Sequence, residues 1–124
     1  MRGKDFLTIL DVSNGDVESL VKKASTIKNE ATPQVLSGKT AALLFEKPSL
    51  RTRVSFEVGI KQMGGTCIFL AGSEVGLGTR EPESDVAKVL DRLVDVIVAR
   101  VFSHSSLEKL SENTILPIVN ALSD

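Results

Sequence analysis

The chain has 124 residues, room for one compact domain with a real core and too few for two. Hydrophobic residues make up 42%, charged residues 25% and the net charge is −1, an ordinary soluble composition in which nothing favours a nucleic-acid partner. Five Phe without Trp or Tyr offer no base-stacking platform, and no apolar run approaches the ~18 residues of a membrane span.

MRGKDFLTIL, at the amino terminus, has too short an apolar run for a signal peptide. Together with a single cysteine, Cys67, which permits no internal disulfide, this predicts a cytoplasmic protein. Ser13 is placed to cap a helix, with Asp16 three residues on, and Val17, Leu20, Val21, Ala24 and Ile27 follow at helical spacing. Asn29 to Gly38, containing Pro33, is a polar connection. Thr40 to Phe45 is apolar without alternation, the pattern of a strand covered on both faces.

A helix is predicted from about Ser49 to Met63, stopped by Gly64-Gly65, with Val54 and Val58 on its core face. Thr66 to Leu70 reads as a second buried strand, and Ala71 to Arg80, with three glycines, as an exposed loop. Pro82 suits a helix start, and Val86, Val89, Leu90 and Leu93 supply one apolar face. Asp95 to Ala99 is a third strand, Ser105 to Asn113 a short helix with Leu107 and Leu110 inward, and Leu116 to Val119 a fourth strand. Strands alternating with helices predict an α/β fold, a three-layer αβα sandwich on a four-stranded parallel sheet, as one domain over residues 1–124. No internal repeat, low-complexity tract or linker interrupts it. The chain stops at NALSD, directly after its last strand, where ligand-binding loops of such sheets begin, so it is expected to be part of something longer.

The chemistry concentrates in FEKPSLRTRVSFEVG, residues 45–59, where a buried strand turns into a helix. The first free N–H groups of such a helix and its dipole make an anion site before any side chain is counted. Ser49 and Thr52 add hydroxyls, Arg51 adds a planar fork suited to two phosphate oxygens, and Pro48 constrains the turn. Cations in a first turn oppose the dipole by ~0.3–1 kcal/mol each, so Arg51 and Arg53 together are a local violation of the kind that marks sites. Arg100 ends the DVIVA strand at the same edge of the sheet. Two strand ends that each deliver an arginine describe a pocket for a small dianion. Neither a Walker loop nor a G-x-G-x-x-G follows a strand.

FEKPSLRTRVSFEVG, the Gly pair at 64–65, DVAKVLDRLVDVIVARVFSH and PIVNALSD together resemble the amino-terminal, carbamoyl-phosphate-binding half of the aspartate/ornithine carbamoyltransferase family. The likeness runs from DFLTILD to ALSD. The S-[TL]-R-T-R string is shared with the aspartate and acetylornithine branches, whereas the preceding Phe-Glu-Lys-Pro is more typical of the ornithine branch. The resemblance implies carbamoyl transfer from carbamoyl phosphate to ornithine, giving citrulline and phosphate, in cytoplasmic arginine biosynthesis. It implies no metal and no organic cofactor, and a homotrimer with active sites between subunits. By matching position, Ser49, Arg51, Thr52 and the Leu50 amide would bind phosphate. Arg100 would touch the carbonyl oxygen, and Arg100 with Thr52 would stabilise the oxyanion. Arg53 would be a structural ion-pair partner.

The chain departs from the family pattern in three ways. Leu50 stands where Thr is usual, and Gly76 where the family carries Gln or His for the phosphate. The family's His-Pro-x-Gln segment, expected shortly after Asp124, and the ornithine-binding domain with its His-Cys-Leu-Pro loop are not in these residues. The 124-residue chain by itself is therefore expected to be inactive. The alternatives are a non-catalytic phosphate-binding or assembly module, or a carbamoyltransferase for aspartate or acetylornithine.

His104, the single histidine, reads as a solvated residue near a helix start, and Cys67 as a small core residue. The EPESD cluster at 81–85 reads as first-turn acids that complement a helix dipole. One His and one Cys make no zinc site.

Overall fold

A computed structural model describes residues 4–124; the first three residues of the amino-terminal stretch weighed as a signal peptide lie outside the described residues. Ser13 and Asp16 form a reciprocal capping box: the Asp16 amide donates to Ser13 Oγ at 3.1 Å and the Ser13 amide donates to the Asp16 carboxylate at 3.0 Å. They start α1 (Asn14–Asn29). Then follow β1 (Thr40–Phe45), α2 (Leu50–Gln62), β2 (Thr66–Ala71), α3 (Gly72–Val75), α4 (Glu83–Leu90), β3 (Val96–Arg100), α5 (His104–Glu112) and β4 (Ile118–Leu122). All strand pairs are parallel, in the order β2-β1-β3-β4. Phe6 adds a parallel bridge to Val119 outside β4, and Asp5 anchors it by accepting from the Ile118 amide and the Ser111 hydroxyl.

Successive side chains of β1 point to opposite faces, which makes two cores. Ala42 and Leu44, with Ile97 and Ala99 of β3, meet Val86, Ala87 and Leu90 of α4 and Leu107 and Leu110 of α5. Ala41, Leu43 and Phe45, with Val98, meet Ile60 and Phe56 of α2. The sheet therefore lies between helices on both faces, the three-layer αβα arrangement expected.

Several local expectations are corrected. Val54 and Val58 do not face the core; they are 46% and 47% exposed, and Phe56 and Ile60 are turned to the sheet instead. The two pairs share i, i+4 spacing but lie two residues apart, about 200° around the helix, so the larger pair takes the buried side. On α4 the inward residues are Val86, Ala87 and Leu90, continued by Val94, while Val89 and Leu93 are 58% and 67% exposed. β2 is an edge strand and only half covered, with Ile68 47% exposed. Residues 71–80 are not an open loop throughout, since Gly72–Val75 form a helical turn. The helical spacing of α1 predicted the helix but not burial, as none of its residues is buried. Asp95 lies before β3 and closes the strand start: its carboxylate accepts from the Thr40 amide at 2.9 Å and from Lys39 at 3.1 Å. Gly64, at φ 88°, provides the left-handed residue that ends α2.

Candidate anion site

β1 delivers the chain to the sheet edge at Phe45, and Arg100 of β3 is its register partner, so both strand ends lie at one level. Ser49 caps α2 in extended conformation, its Oγ accepting the Thr52 amide at 3.3 Å. The Leu50 and Arg51 amides, first in the helix, have no intrahelical acceptor. Thr52 Oγ1 in turn accepts from Arg100 Nη1 at 3.2 Å. The contact joins the helix start to the neighbouring strand end across 48 residues of sequence.

Arg100 is aimed by an irregularity in the sheet. Ala99 pairs with Asn120 but Arg100 with Leu122, leaving Ala121 as an extra residue whose carbonyl accepts from Arg100 Nη1 at 3.4 Å. Leu122 takes φ 139°, a conformation that costs a residue with a side chain about 1–3 kcal/mol. Asn120 braces it: Oδ1 accepts the Leu122 amide at 2.9 Å, and Nδ2 donates to Leu7 O and to Ser123 Oγ. Arg100 Nε is buried with no hydrogen-bond partner among the described residues. A half-buried guanidinium with an unused donor is suited to an incoming anionic or carbonyl oxygen.

The structure brings Ser49, Thr52 and Arg100 together. Arg51 sits in the same helical turn but is exposed, beside Val54, Ser55 and Val58 on the outer face. Leu50 is 77% exposed, so only its amide can serve an anion. Arg53 leans the other way, over the Phe69 ring at 3.5 Å, and its Nε donates to Glu57 at 3.0 Å. It lines a cleft of ≈ 430 Å³ with Phe45, Lys47, Ser49, Leu50 and Phe69. Lys47 pairs with Asp124 at 2.8 Å and lies 5.6 Å over the Phe102 ring, while Glu46 accepts the Phe102 amide at 3.1 Å. These contacts tie the β1–α2 turn to the segments after β3 and β4. Gly72 permits the approach of the next turn, since a Cβ there would stand 2.8 Å from Glu46 Cα.

Gly76 has a backbone reason. It ends α3 at φ 65°, and a Cβ would meet Arg80 Cβ at 2.8 Å, so a Gln or His is disfavoured in this loop as it is folded. His104 differs from the solvated reading: it opens α5, half-buried, with Nδ1 sharing a hydrogen bond with Ser123 Oγ at 2.8 Å. Cys67 is half-buried, and burial, aided by the charge of Glu57, pushes its thiol up, away from nucleophilic use. Glu83 and Asp85 do stand in the first turn of α4. Hydrogen bonds from its own amide and from the Ser106 hydroxyl hold Glu83 below the usual carboxylate range. Asn120, Phe69 and the Lys47–Asp124 pair were not singled out in the sequence; their parts depend on strand neighbours that no local pattern encodes.

Two hydroxyls, free helix amides and a half-buried arginine converge at the strand ends of a parallel α/β domain, which makes this edge a candidate anion site. That arrangement narrows to one family. Residues 4–124 match the family described as aspartate/ornithine carbamoyltransferase, carbamoyl-P binding domain, and the chain belongs to it. It is 43% identical over 122 residues to an ornithine carbamoyltransferase of Bacillus subtilis, covering 98% of this chain and 38% of that protein. The solved ornithine carbamoyltransferase of Thermus thermophilus superposes with a TM-score of 0.90 at 45% identity, covering 97% of this chain and 42% of that one. The anabolic enzyme of Campylobacter jejuni gives 0.92 at 39% identity, covering 98% and 40%. The chain thus spans about two fifths of the length of these relatives.

Proposed function

We propose that the chain is the carbamoyl-phosphate-binding part of an ornithine carbamoyltransferase. The observation that carries the reading is the Arg100–Thr52 contact, which couples a helix-terminal anion site to a strand-end cation. Ser49 Oγ and the Leu50 and Arg51 amides hold the phosphate oxygens, and the Arg51 fork, exposed on the outer face of the same turn, swings in to join them. Arg100 takes the carbonyl oxygen. The neutral side-chain amine of ornithine forms the new C–N bond as the carbonyl π pair moves onto oxygen, where Arg100 and the Thr52 hydroxyl stabilise the charge. The pair then returns, the C–O bond to phosphate breaks with its electrons going to the phosphate oxygen, the nitrogen's proton passes to that departing phosphate, and phosphate leaves within the cradle. Alignment of the two reactants does most of the remaining work.

Ornithine is favoured over aspartate and acetylornithine by Phe45-Glu46-Lys47-Pro48 and by relatives named for ornithine at 43–45% identity. The amine site belongs to a second domain. We place the assembly as a cytoplasmic homotrimer in arginine biosynthesis, without nucleic-acid or membrane partners. No helix among the described residues is long and apolar enough to cross a membrane. Calorimetry with inorganic phosphate and carbamoyl phosphate tests the cradle. Arg51→Ala is expected to cost about 1.5–3 kcal/mol of binding. Equal affinity for wild type and variant would overturn the assignment.

A further inference from the structure

α2 follows β1 over the sheet, and β1 has β2 on one side and β3 on the other. Thr52 and Arg53 are consecutive, so their side chains leave the helix about 100° apart. Thr52 reaches β3 through Arg100. Arg53 reaches β2: its guanidinium carbon lies 3.5 Å from the centre of the Phe69 ring, and Nε is held by Glu57 at 3.0 Å. Phe69 is itself fixed, edge-on to the buried Phe45 ring at 5.7 Å and 67°. The first turn of α2 is thereby strapped on both flanks, to the two strands beside the one it follows. A cation here opposes the helix dipole, and the stack and the Glu57 pair answer that penalty without any anion bound.

We propose that Arg53 is a positioning residue: its stack on Phe69 sets the roll of the first turn of α2, so that Ser49, the leading amides and Thr52 meet Arg100 in register. The inference rests on the carbamoyl-phosphate reading of the cradle and deepens it. An ordinary ion-pair role would need Glu57 alone. The Phe69 contact adds a direction, because a planar guanidinium on a ring face fixes rotation as well as distance. Phe69 carries no polar atom for an anion, so its ring acts only through what it packs against, Arg53 and the Phe45 ring, and the double-mutant cycle with Arg53 separates the two routes.

The test uses inorganic phosphate, the 124-residue chain and a double-mutant cycle. Arg53→Lys keeps the charge and loses the planar stack; Phe69→Leu removes the ring; Phe69→Tyr restores a ring face. Arg53→Lys and Phe69→Leu are each expected to weaken phosphate roughly threefold to tenfold, the worth of one such contact. The double variant should be no weaker than either single one, and Phe69→Tyr should bind like wild type. Wild-type affinity in Phe69→Leu, or additive losses in the double variant, would overturn the proposal. A second measurement needs no ligand: in ¹H–¹⁵N spectra, Phe69→Leu should move the Thr52 amide and the Arg100 side-chain Nε–H, and Phe69→Tyr should return them. Unmoved Thr52 and Arg100 signals would refute the strap. Failure of wild type to take up phosphate would instead strike the cradle reading, with the spectra still deciding the positioning role.

Discussion

Replacing Arg100 by Met should separate stability from ligand binding, because this side chain is poorly served by its own protein. Nη1 has two acceptors, Thr52 Oγ1 at 3.2 Å and Ala121 O at 3.4 Å, while Nε is buried with no partner among the described residues. An unsatisfied buried donor costs about 1–3 kcal/mol, comparable with what the two longish bonds contribute. Removing all three at once should change unfolding free energy by only about 1 kcal/mol. Binding should respond differently. Free phosphate has no carbonyl group, so Arg100 is expected to take one of its oxygens instead, and losing those charge-assisted bonds should cost about 3 kcal/mol, roughly 100-fold in Kd. At a phosphate concentration of about 100 times the wild-type Kd, linkage stabilises wild type by ~2.7 kcal/mol and the variant by ~0.4 kcal/mol. For a chain of this size that is a melting-point rise of about 8–13 °C against about 1–2 °C. Thermal melts with and without phosphate measure both quantities. A variant that keeps the wild-type rise would remove Arg100 from the anion site. A variant that melts more than about 10 °C lower without phosphate would refute the claim that the unused Nε offsets its neighbouring bonds.

The phase of α2 is tested by a pair of charges: Ile60→Asp, at 7% exposure, should unfold the domain, whereas Val58→Asp, at 47%, should cost about 1 kcal/mol or less. Urea denaturation of both decides it, and the reverse order would refute the packing of α2. Stability should also fall in acid. The Thr40 amide first and Lys39 second hold Asp95 below its ordinary value, and the Ser13 hydroxyl and amide do the same for Asp16. Carboxylates depressed in the folded state contribute fully above their unfolded values, near pH 4, and lose that contribution as pH falls through the folded ones. Urea midpoints for wild type should therefore drop below about pH 4, and Asp95→Asn should flatten that limb. Identical acid slopes for the two would count against the Asp95 contacts.

Much of this protein was legible along the chain. The Ser13–Asp16 capping box, the unalternating apolar run of β1, the glycine stop after α2 and the inward Leu107 and Leu110 are local matters, set by hydrogen-bond reach and side-chain period within a few residues. The Ser49 cap and the free amides behind it were equally readable, because a helix that starts after a strand needs only that turn to define them. Which apolar residues of α2 and α4 turn inward was not, since two competing apolar stripes lie on each helix and only the sheet beneath chooses between them. The sheet order also made β2 an edge and placed Phe69 where Arg53 could stack on it. The bulge at Ala121, the brace of Asn120 and the aim of Arg100 at Thr52 join residues that are far apart in sequence. Such contacts depend on register between strands, a property that exists only once the sheet has closed.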